Sequence, residues 1–437
     1  MRTIRVAVAG LGVVGRETVR LLRENKERFG RKLGASVELS AVCDRAVKKE
    51  AKALGLGASV KLYTDPGQLA ARRDFDIVVE LMGGLEAPRK LVLEALKSGR
   101  HVVTANKRLI ATEWDRLRAA SSRGGRLAFE GSVGGGIPVL QALESSLSAN
   151  TIESVYGVLN GTTNYILSAM ERGAGAADAL AEAQRLGFAE KDPSMDLSGR
   201  DTAQKVSVLA ALLTGAALPP DRIAREGIER VEAEDVSFAL GTLRRVPRLI
   251  GALRLDWRAR AGGAAAGVKA EASVFPTLVP LDHPLAAVRG EYNAILIKAS
   301  AAKDLMLYGK GAGGGPTASA VVGDVYMLSR ELLCATPPGR AEALAVTAAP
   351  VEESVSGFYL RLAAQDRPGV LAGVARSLAR GGISIATIHQ SATRGPSGAS
   401  VILTTHPARH GAFTSALSRI LSESGVGKKP VVMRMLP

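Results

Sequence analysis

Residues 3–15 read Thr-Ile-Arg-Val-Ala-Val-Ala-Gly-Leu-Gly-Val-Val-Gly, and they decide how the chain starts to fold. Thr3 to Ala9 reads as a short buried strand. Gly10-Leu11-Gly12-Val13-Val14-Gly15 then forms a G-x-G-x-x-G turn. A helix follows, with Val14, Thr18, Leu21 and Leu22 on one largely apolar face. The glycines have separate tasks. Gly10 permits a tight turn, Gly12 lets the backbone approach a pyrophosphate, and Gly15 lets the helix pack close to the strand. The helix N-terminus offers free N–H groups to phosphates. This order of elements opens a dinucleotide-binding domain.

The pattern continues outward. A second strand, 37–43, ends at Asp44, where an acidic residue would meet the adenosine ribose. Arg45 follows at once, with Lys48 and Lys49 near. Asp44 favours NAD, whereas the basic neighbours would suit the 2′-phosphate of NADP; the same charges also read as a solvated turn. Both cofactors stay open. Further strands read at 76–81, 101–105 and 127–130, with a helix at 88–98. Such alternation predicts a doubly wound parallel sheet of the Rossmann type, with ligands at the carboxyl ends of its strands. Thr104, Asn106, Lys107 and Glu130 sit at those ends.

Length and composition bound the rest. The 437 residues suggest two or three domains, and an apolar fraction of 46% suffices for their cores. The net charge of +15 raises nucleic-acid binding, but the basic residues are dispersed and aromatics make up only 4%. Positive charge equally serves an anionic cofactor and substrate. No apolar run approaches the roughly 20 residues of a membrane helix, and the N-terminus lacks a secretory pattern. A cytoplasmic protein is expected. Cys43 and Cys334 form no CxxC, so a zinc knuckle or disulfide framework is not expected. His406 and His410 read as a surface pair at a loop-to-helix junction rather than as metal ligands.

The chemistry is expected in the middle. Gly134 to Gly136 lead into Ile137-Pro138 and a helix. Such a loop can bind phosphate, a carbonyl or a hard cation, or serve as a hinge. Gly161-Thr162-Thr163-Asn164 opens another helix at a polar corner. The stretch from Leu186 to Lys205 carries Glu190, Asp192, Asp196 and Asp201 and feeds an apolar helix. Asp201 and Lys205 are four apart and share a helix face. A charged pair that leads into a buried helix is expected to line a cleft. Hydride transfer from an alcohol needs a proton acceptor at the carbinol oxygen, and a lysine serves when burial or a second cation lowers its pKa. An amino-acid substrate also needs carboxylates for its ammonium group.

These segments together resemble homoserine dehydrogenases over about residues 4–335. The resemblance rests on Val102-Val-Thr-Ala-Asn-Lys107, Phe129-Glu-Gly-Ser-Val-Gly-Gly-Gly-Ile-Pro138, Leu159-Asn-Gly-Thr-Thr-Asn-Tyr165 and the Glu190–Lys205 stretch. His283-Pro-Leu285 and the glycine-rich run 309–320 complete it. It implies interconversion of L-homoserine and L-aspartate 4-semialdehyde with NAD or NADP, in threonine, methionine and isoleucine biosynthesis. Lys205 would donate and accept the proton, Glu190 and Asp201 would hold the substrate with Asp196 in support, and Lys107 would lie by nicotinamide and substrate. Gly187 and Gly313 would contact the cofactor, as would Thr104 and the Gly10–Gly15 turn. A monovalent cation, sodium or potassium, would bind the Glu130 carboxylate and the carbonyls of Val133, Gly135 and Ile137. A homodimer through the middle domain's sheet is implied, with a homotetramer as the alternative.

The C-terminal stretch reads as βαββαβ, a ferredoxin-like module. With Asp366-Arg-Pro368-Gly369 between its first strand and helix, it resembles an ACT domain. The implied effector is L-threonine, bound near Asp366, Pro368 and Gly369; a module that only dimerises is the alternative. The expected division is 1–135 for the dinucleotide domain and 136–335 for an α+β substrate and dimerisation domain. Its last helix, about 317–335, would return to the first domain. A linker at 336–354 and the regulatory module at 355–437 follow. Phosphoglycerate dehydrogenases carry the same module but place the dinucleotide motif mid-chain, and aspartate-semialdehyde dehydrogenase needs a nucleophilic cysteine that is not well placed here. Another amino-acid dehydrogenase and an NAD(P)-binding sensor without catalysis are further alternatives; a sensor has no need of Lys205.

Overall fold

The computed structural model describes residues 2–122, 124–257, 267–334, 344–392 and 398–437. Strands β1 (Thr3–Ala9), β2 (Ser36–Cys43), β3 (Lys61–Tyr63), β4 (Ile77–Glu80), β5 (His101–Thr104) and β6 (Leu127–Ala128) form a six-stranded sheet in the order 3-2-1-4-5-6. Every pairing in it is parallel. Val6, Val8, Ile77, Val79 and Val103 are fully buried, as expected when helices cover both faces. Strand β6 is shorter than its sequence suggests, because the chain turns into a 3-10 segment at Glu130–Ser132. The helix Lys26–Leu33 is an addition to the sequence reading: it is short and mostly polar, with only Phe29 and Leu33, four apart, turned to the core.

The middle of the chain supplies β7 (Ile152–Val158), β8 (Ala224–Arg225), β9 (Arg245–Asp256), β10 (Gly267–Pro280), β11 (Tyr292–Ala299) and β12 (Lys303–Lys310). Their main path runs 12-11-7-9-10 and is antiparallel, with β8 on the side of β10. The helix Arg200–Thr214 lies flat on β9. A Cβ on Gly251 would come within 2.8 Å of Val206 and 2.9 Å of Thr202. The helix Gly314–Leu333 crosses back, and Val321, Val322, Val325 and Leu328 share a core with Ile4, Val6, Val8 and Val19.

Of the stretch read as a linker, residues 336–343 lie outside the described residues. Ala345–Ala348 form β13, parallel to β10, so that part of the stretch is a sheet edge and not a linker. The chain then follows β14 (Val355–Ala364), helix Val370–Arg380, β15 (Ile385–Ala392), β16 (Ala399–Thr405), the short β17 (Ala408–Arg409), helix His410–Ser422 and β18 (Val431–Met435). This is βαββαβ with one added strand. Strand β18 pairs in parallel with β10 through Thr277–Arg434 and Leu278–Met435, so the two sheets continue as one. A buried polar cluster fastens the same seam. Tyr359 Oη and Arg361 Nε each donate to Asp235 Oδ1 at 2.7 Å, and Asp235 is fully buried. His410 is not the surface group read from sequence. Its ring packs against Phe275 and Phe358, with centroids at 5.4 and 5.9 Å.

Candidate active site

The glycine turn is built as a cradle. A Cβ on Gly10 would sit 2.4 Å from the Leu81 carbonyl oxygen, and one on Gly15 would sit 1.9 Å from that of Gly10. A Cβ on Gly12 would meet nothing within 4 Å. The first and third glycines therefore hold the turn closed, while the second faces open space of the kind a pyrophosphate needs. Val13, at the start of the helix, is 75% exposed. Gly313 (φ +110°) caps the helix Gly314–Leu333, and a Cβ on Gly314 would sit 2.8 Å from Val13. Two helix N-termini thus converge beside the turn, an arrangement that favours an anion. These residues fit a dinucleotide.

The Asp44 carboxylate is held by two backbone N–H groups. Its Oδ2 accepts the Leu11 N–H and its Oδ1 the Ala46 N–H, both at 2.8 Å, so the carboxylate ties the second strand's end to the turn. Arg45, Lys48 and Lys49 are exposed beside it. Thr104 departs from its expected place. It is fully buried, and its hydroxyl donates to Glu80 Oε2 at 2.7 Å, so its side chain does not reach the cofactor side. The cause is register: β5 lies beside β4 with Thr104 level with Glu80, and a buried carboxylate takes the nearest hydroxyl.

A cleft of about 440 Å³ runs from this domain to the middle one. Val14, Leu81, Asn106 and Lys107 line one side, and Glu190, Asp196 and Asp201 line the other. Lys107 Nζ lies 2.9 Å from Asp201 Oδ1, and Lys205 Nζ lies 2.8 Å from Asp201 Oδ2. Asp201 thus bridges two lysines from different domains. Lys205 is buried behind it and also donates to the Leu159 carbonyl. Burial alone would raise the Asp201 carboxyl, but Lys205 and Lys107 outweigh it and hold it well below the usual carboxylate range. Asp201 in turn, against burial, raises Lys107 and keeps it protonated. Since both Asp201 oxygens are engaged by lysines, it is less free to hold a substrate ammonium than its sequence position implies. Glu190 is exposed on the cleft wall, and Gly187 (φ +77°) precedes it in open space.

The Glu130 loop is buried. Glu130 Oε1 accepts the Leu140 N–H at 2.9 Å and Oε2 the Gln141 N–H at 2.7 Å, so the carboxylate caps the following helix. Burial pushes the Glu130 carboxyl up, and burial pushes that of Asp324, which accepts the Glu130 N–H, up to about 7. Val133, Gly135 and Ile137 are buried on the same loop. Both oxygens of each carboxyl already accept hydrogen bonds, and the Ile137 carbonyl accepts the Val139 N–H, so burial favours the protonated forms of two carboxyls that are fully partnered within the protein. In the C-terminal module, Asp366 Oδ1 accepts from Gln390 at 3.0 Å beside a cavity of about 60 Å³. Pro368 leads into Gly369, which has φ +93° and begins the turn into the helix. Burial, with Asp65 and Asp44 adding to it, pushes the Cys43 thiol up to about 11, which removes it as a nucleophile. Among the described residues, no helix is long and apolar enough to cross a membrane.

Sequence reasoning missed Asn160, Glu80 and Asp324. Each is buried and polar, and each meets partners far along the chain. Asn160 lies within Leu159–Tyr165 and caps the helix Gly161–Glu171, and nothing local distinguishes it from an ordinary helix cap.

Comparison with known proteins agrees with this geometry. The family description "Homoserine dehydrogenase, NAD binding domain" matches residues 10–130, "Homoserine dehydrogenase" matches 138–326 and "ACT domain" matches 358–425. The chain is 39% identical over 429 residues to the homoserine dehydrogenase of Mycobacterium tuberculosis, covering 96% of this chain and 94% of that one. It is 36% identical to that of Neisseria gonorrhoeae, covering 100% and 99%. A crystal structure of a homoserine dehydrogenase from Thiobacillus denitrificans superposes with a TM-score of 0.89 at 38% identity, covering 100% of this chain and 99% of that one. A hyperthermophilic archaeal homoserine dehydrogenase in complex with NADPH gives a TM-score of 0.60 at 27% identity, covering 74% and 96%. With a dinucleotide cradle, a lysine–aspartate–lysine bridge in the adjoining cleft and similarity along nearly its whole length, the chain belongs to the homoserine dehydrogenase family of NAD(P)-dependent oxidoreductases.

Proposed function

We propose that the chain interconverts L-homoserine and L-aspartate 4-semialdehyde, within threonine, methionine and isoleucine biosynthesis, in the cytoplasm. The observation that carries this reading is the Asp201 carboxylate held between Lys107 and Lys205 at the wall of the cleft. The nicotinamide, when bound, supplies or accepts the hydride. The protein's own part is proton movement and orientation. An ammonium has three N–H groups, and Lys205 uses two, on Asp201 and Leu159; the third is left for the substrate oxygen. When the aldehyde is reduced, that proton passes to the forming alkoxide; when the alcohol is oxidised, Lys205 Nζ receives it. Lys107, held protonated by Asp201, polarises the same oxygen from the other domain. Glu190 takes the substrate ammonium, and Asp196 supports Asp201.

The Gly10–Gly15 turn, Asp44, Arg45, Gly187 and Gly313 hold NAD or NADP. A sodium or potassium ion binds at Glu130, Val133, Gly135 and Ile137. L-threonine binds the C-terminal module at Asp366, Pro368 and Gly369. The molecule works as a homodimer or homotetramer. The test follows reduced-nicotinamide absorbance with L-homoserine and NAD or NADP in parallel, in sodium or potassium, with and without threonine. Homoserine-dependent reduction supports the reaction, and the faster cofactor resolves the competition between Asp44 and Arg45. No turnover with either cofactor refutes it; turnover indifferent to threonine refutes the effector alone.

A further inference from the structure

Asn160 stands between β7 and the helix Gly161–Glu171 and is only 5% exposed. Both ends of its amide are used. Oδ1 accepts the Thr163 N–H at 2.8 Å and caps the helix. Nδ2 donates to Asp196 Oδ1 at 2.7 Å and to Asp201 Oδ2 at 3.0 Å. This assignment of oxygen and nitrogen is forced, because ionised carboxylates only accept and a backbone N–H only donates. Asp201 Oδ2 is also the oxygen that holds Lys205, and the carbonyl of the preceding residue, Leu159, accepts from the same Nζ. One short segment therefore touches Lys205 directly and again through Asp201.

We infer that Asn160 is a positioning residue for the reaction: its Nδ2 cross-links Asp196 and Asp201 and fixes Asp201 Oδ2 on Lys205. The inference rests on the functional reading above, in which Lys205 moves the proton. Two neighbouring carboxylates repel, and a shared donor between them removes part of that repulsion. Without it, Asp201 is free to turn toward Lys107 and release Lys205. Thr162 Oγ1 lies 2.6 Å from the Phe188 carbonyl and 2.9 Å from Asp196 Oδ2, and its single proton serves one acceptor at a time, so the amide of Asn160, with two protons, is the link that joins Asp196 to Asp201.

The two ends of the amide can be separated by substitution. Asn160→Asp and Asn160→Ser keep an oxygen for the cap, and both residues are favoured there. Asp has no donor, and Ser is too short to reach both carboxylates. Asn160→Ala loses cap and donor together. With purified full-length protein and L-homoserine, all three variants lower kcat, by about 10- to 100-fold, the scale of a misplacement near 1 Å. The loss falls on kcat more than on KM for L-homoserine, because the contact that is loosened moves the proton and does not hold the substrate's chain. Asn160→Ser keeps the helix cap and the wild-type NADPH fluorescence titration, and it melts later than Asn160→Ala, which loses cap and donor together. If Asn160 only caps its helix, Ser and Asp turn over like wild type and only Ala is impaired. That result, or a loss confined to KM, overturns the inference and leaves the reaction standing. A wild-type protein that fails to oxidise L-homoserine overturns both.

Discussion

Replacing Asp201 by Asn keeps the shape of the site and removes the charge that two lysines share. The Lys205–Asp201 pair is about one-tenth exposed on each side and its atoms are 2.8 Å apart. At an effective dielectric near 20, such a pair attracts by about 6 kcal/mol before desolvation is counted. Breaking a buried pair by removing one partner costs about 3–5 kcal/mol net. The Lys107 side adds little, because that side chain is 36% exposed and solvent screens it. Asp201→Asn is thus expected to lower the thermal midpoint by roughly 5–15 °C. It also lowers kcat by about 10²- to 10⁴-fold, the range of a disabled acid/base. The pH profile carries a sharper sign. Asp201 is the largest cause of the raised Lys107 pKa, so removing it lowers that pKa. In the direction of aldehyde reduction, where a protonated lysine is needed, the alkaline limb moves to lower pH. The assay is initial rate of NADPH oxidation with L-aspartate 4-semialdehyde between pH 6 and pH 10 (about one-unit steps suffice). A variant within threefold of wild type, with its alkaline limb in place, would refute the role given to the bridge.

Lys205→Ala is expected to lower the rate by about 10²- to 10⁴-fold while leaving NADPH binding by fluorescence unchanged; a near-normal rate would remove Lys205 from the proton path. Gly12→Ala meets no protein atom, so it should keep its thermal midpoint while weakening cofactor affinity, whereas Gly15→Ala drives a methyl against the Gly10 carbonyl and should lower both. Calorimetry and NADPH titration separate the two, and equal stability losses would contradict the cradle. Arg361→Ala strips the buried Asp235 of its cation and should cost about 3–5 kcal/mol in urea unfolding of the seam, since Tyr359 alone cannot neutralise that carboxylate. Burial and then Arg434 push the His410 imidazole down to about 4, so the folded state takes up its proton less readily than the unfolded chain. The stability this gives is complete above about pH 6.5, the unfolded value, and is lost as pH falls from there toward about 4. His410→Gln should flatten the thermal-midpoint profile across that window, and an unchanged slope would place the titration elsewhere.

The chain's own order carried a large part of the fold and some of the site. Strand, glycine turn and helix at residues 3–15, the βα alternation after them and the βαββαβ order of the C-terminal module are local patterns, set by side-chain period and turn chemistry. Asp201 and Lys205 share a helix face for the same reason, and the ion pair at 2.8 Å follows from their spacing. Packing decided the rest. Lys107 meets Asp201 only because two domains close on one cleft. Thr104 turns inward because β5 happens to lie level with Glu80 on β4. Asn160 reaches two carboxylates because a strand end and a later helix are brought together. β13 and β18 join β10, so a stretch rich in small residues becomes a sheet edge and the C-terminal module continues the catalytic sheet. Periodicity reports which face of an element is apolar; it holds no information on which distant polar group will stand opposite, because that is fixed by the burial free energy of whole elements and not by the residues that end up in contact.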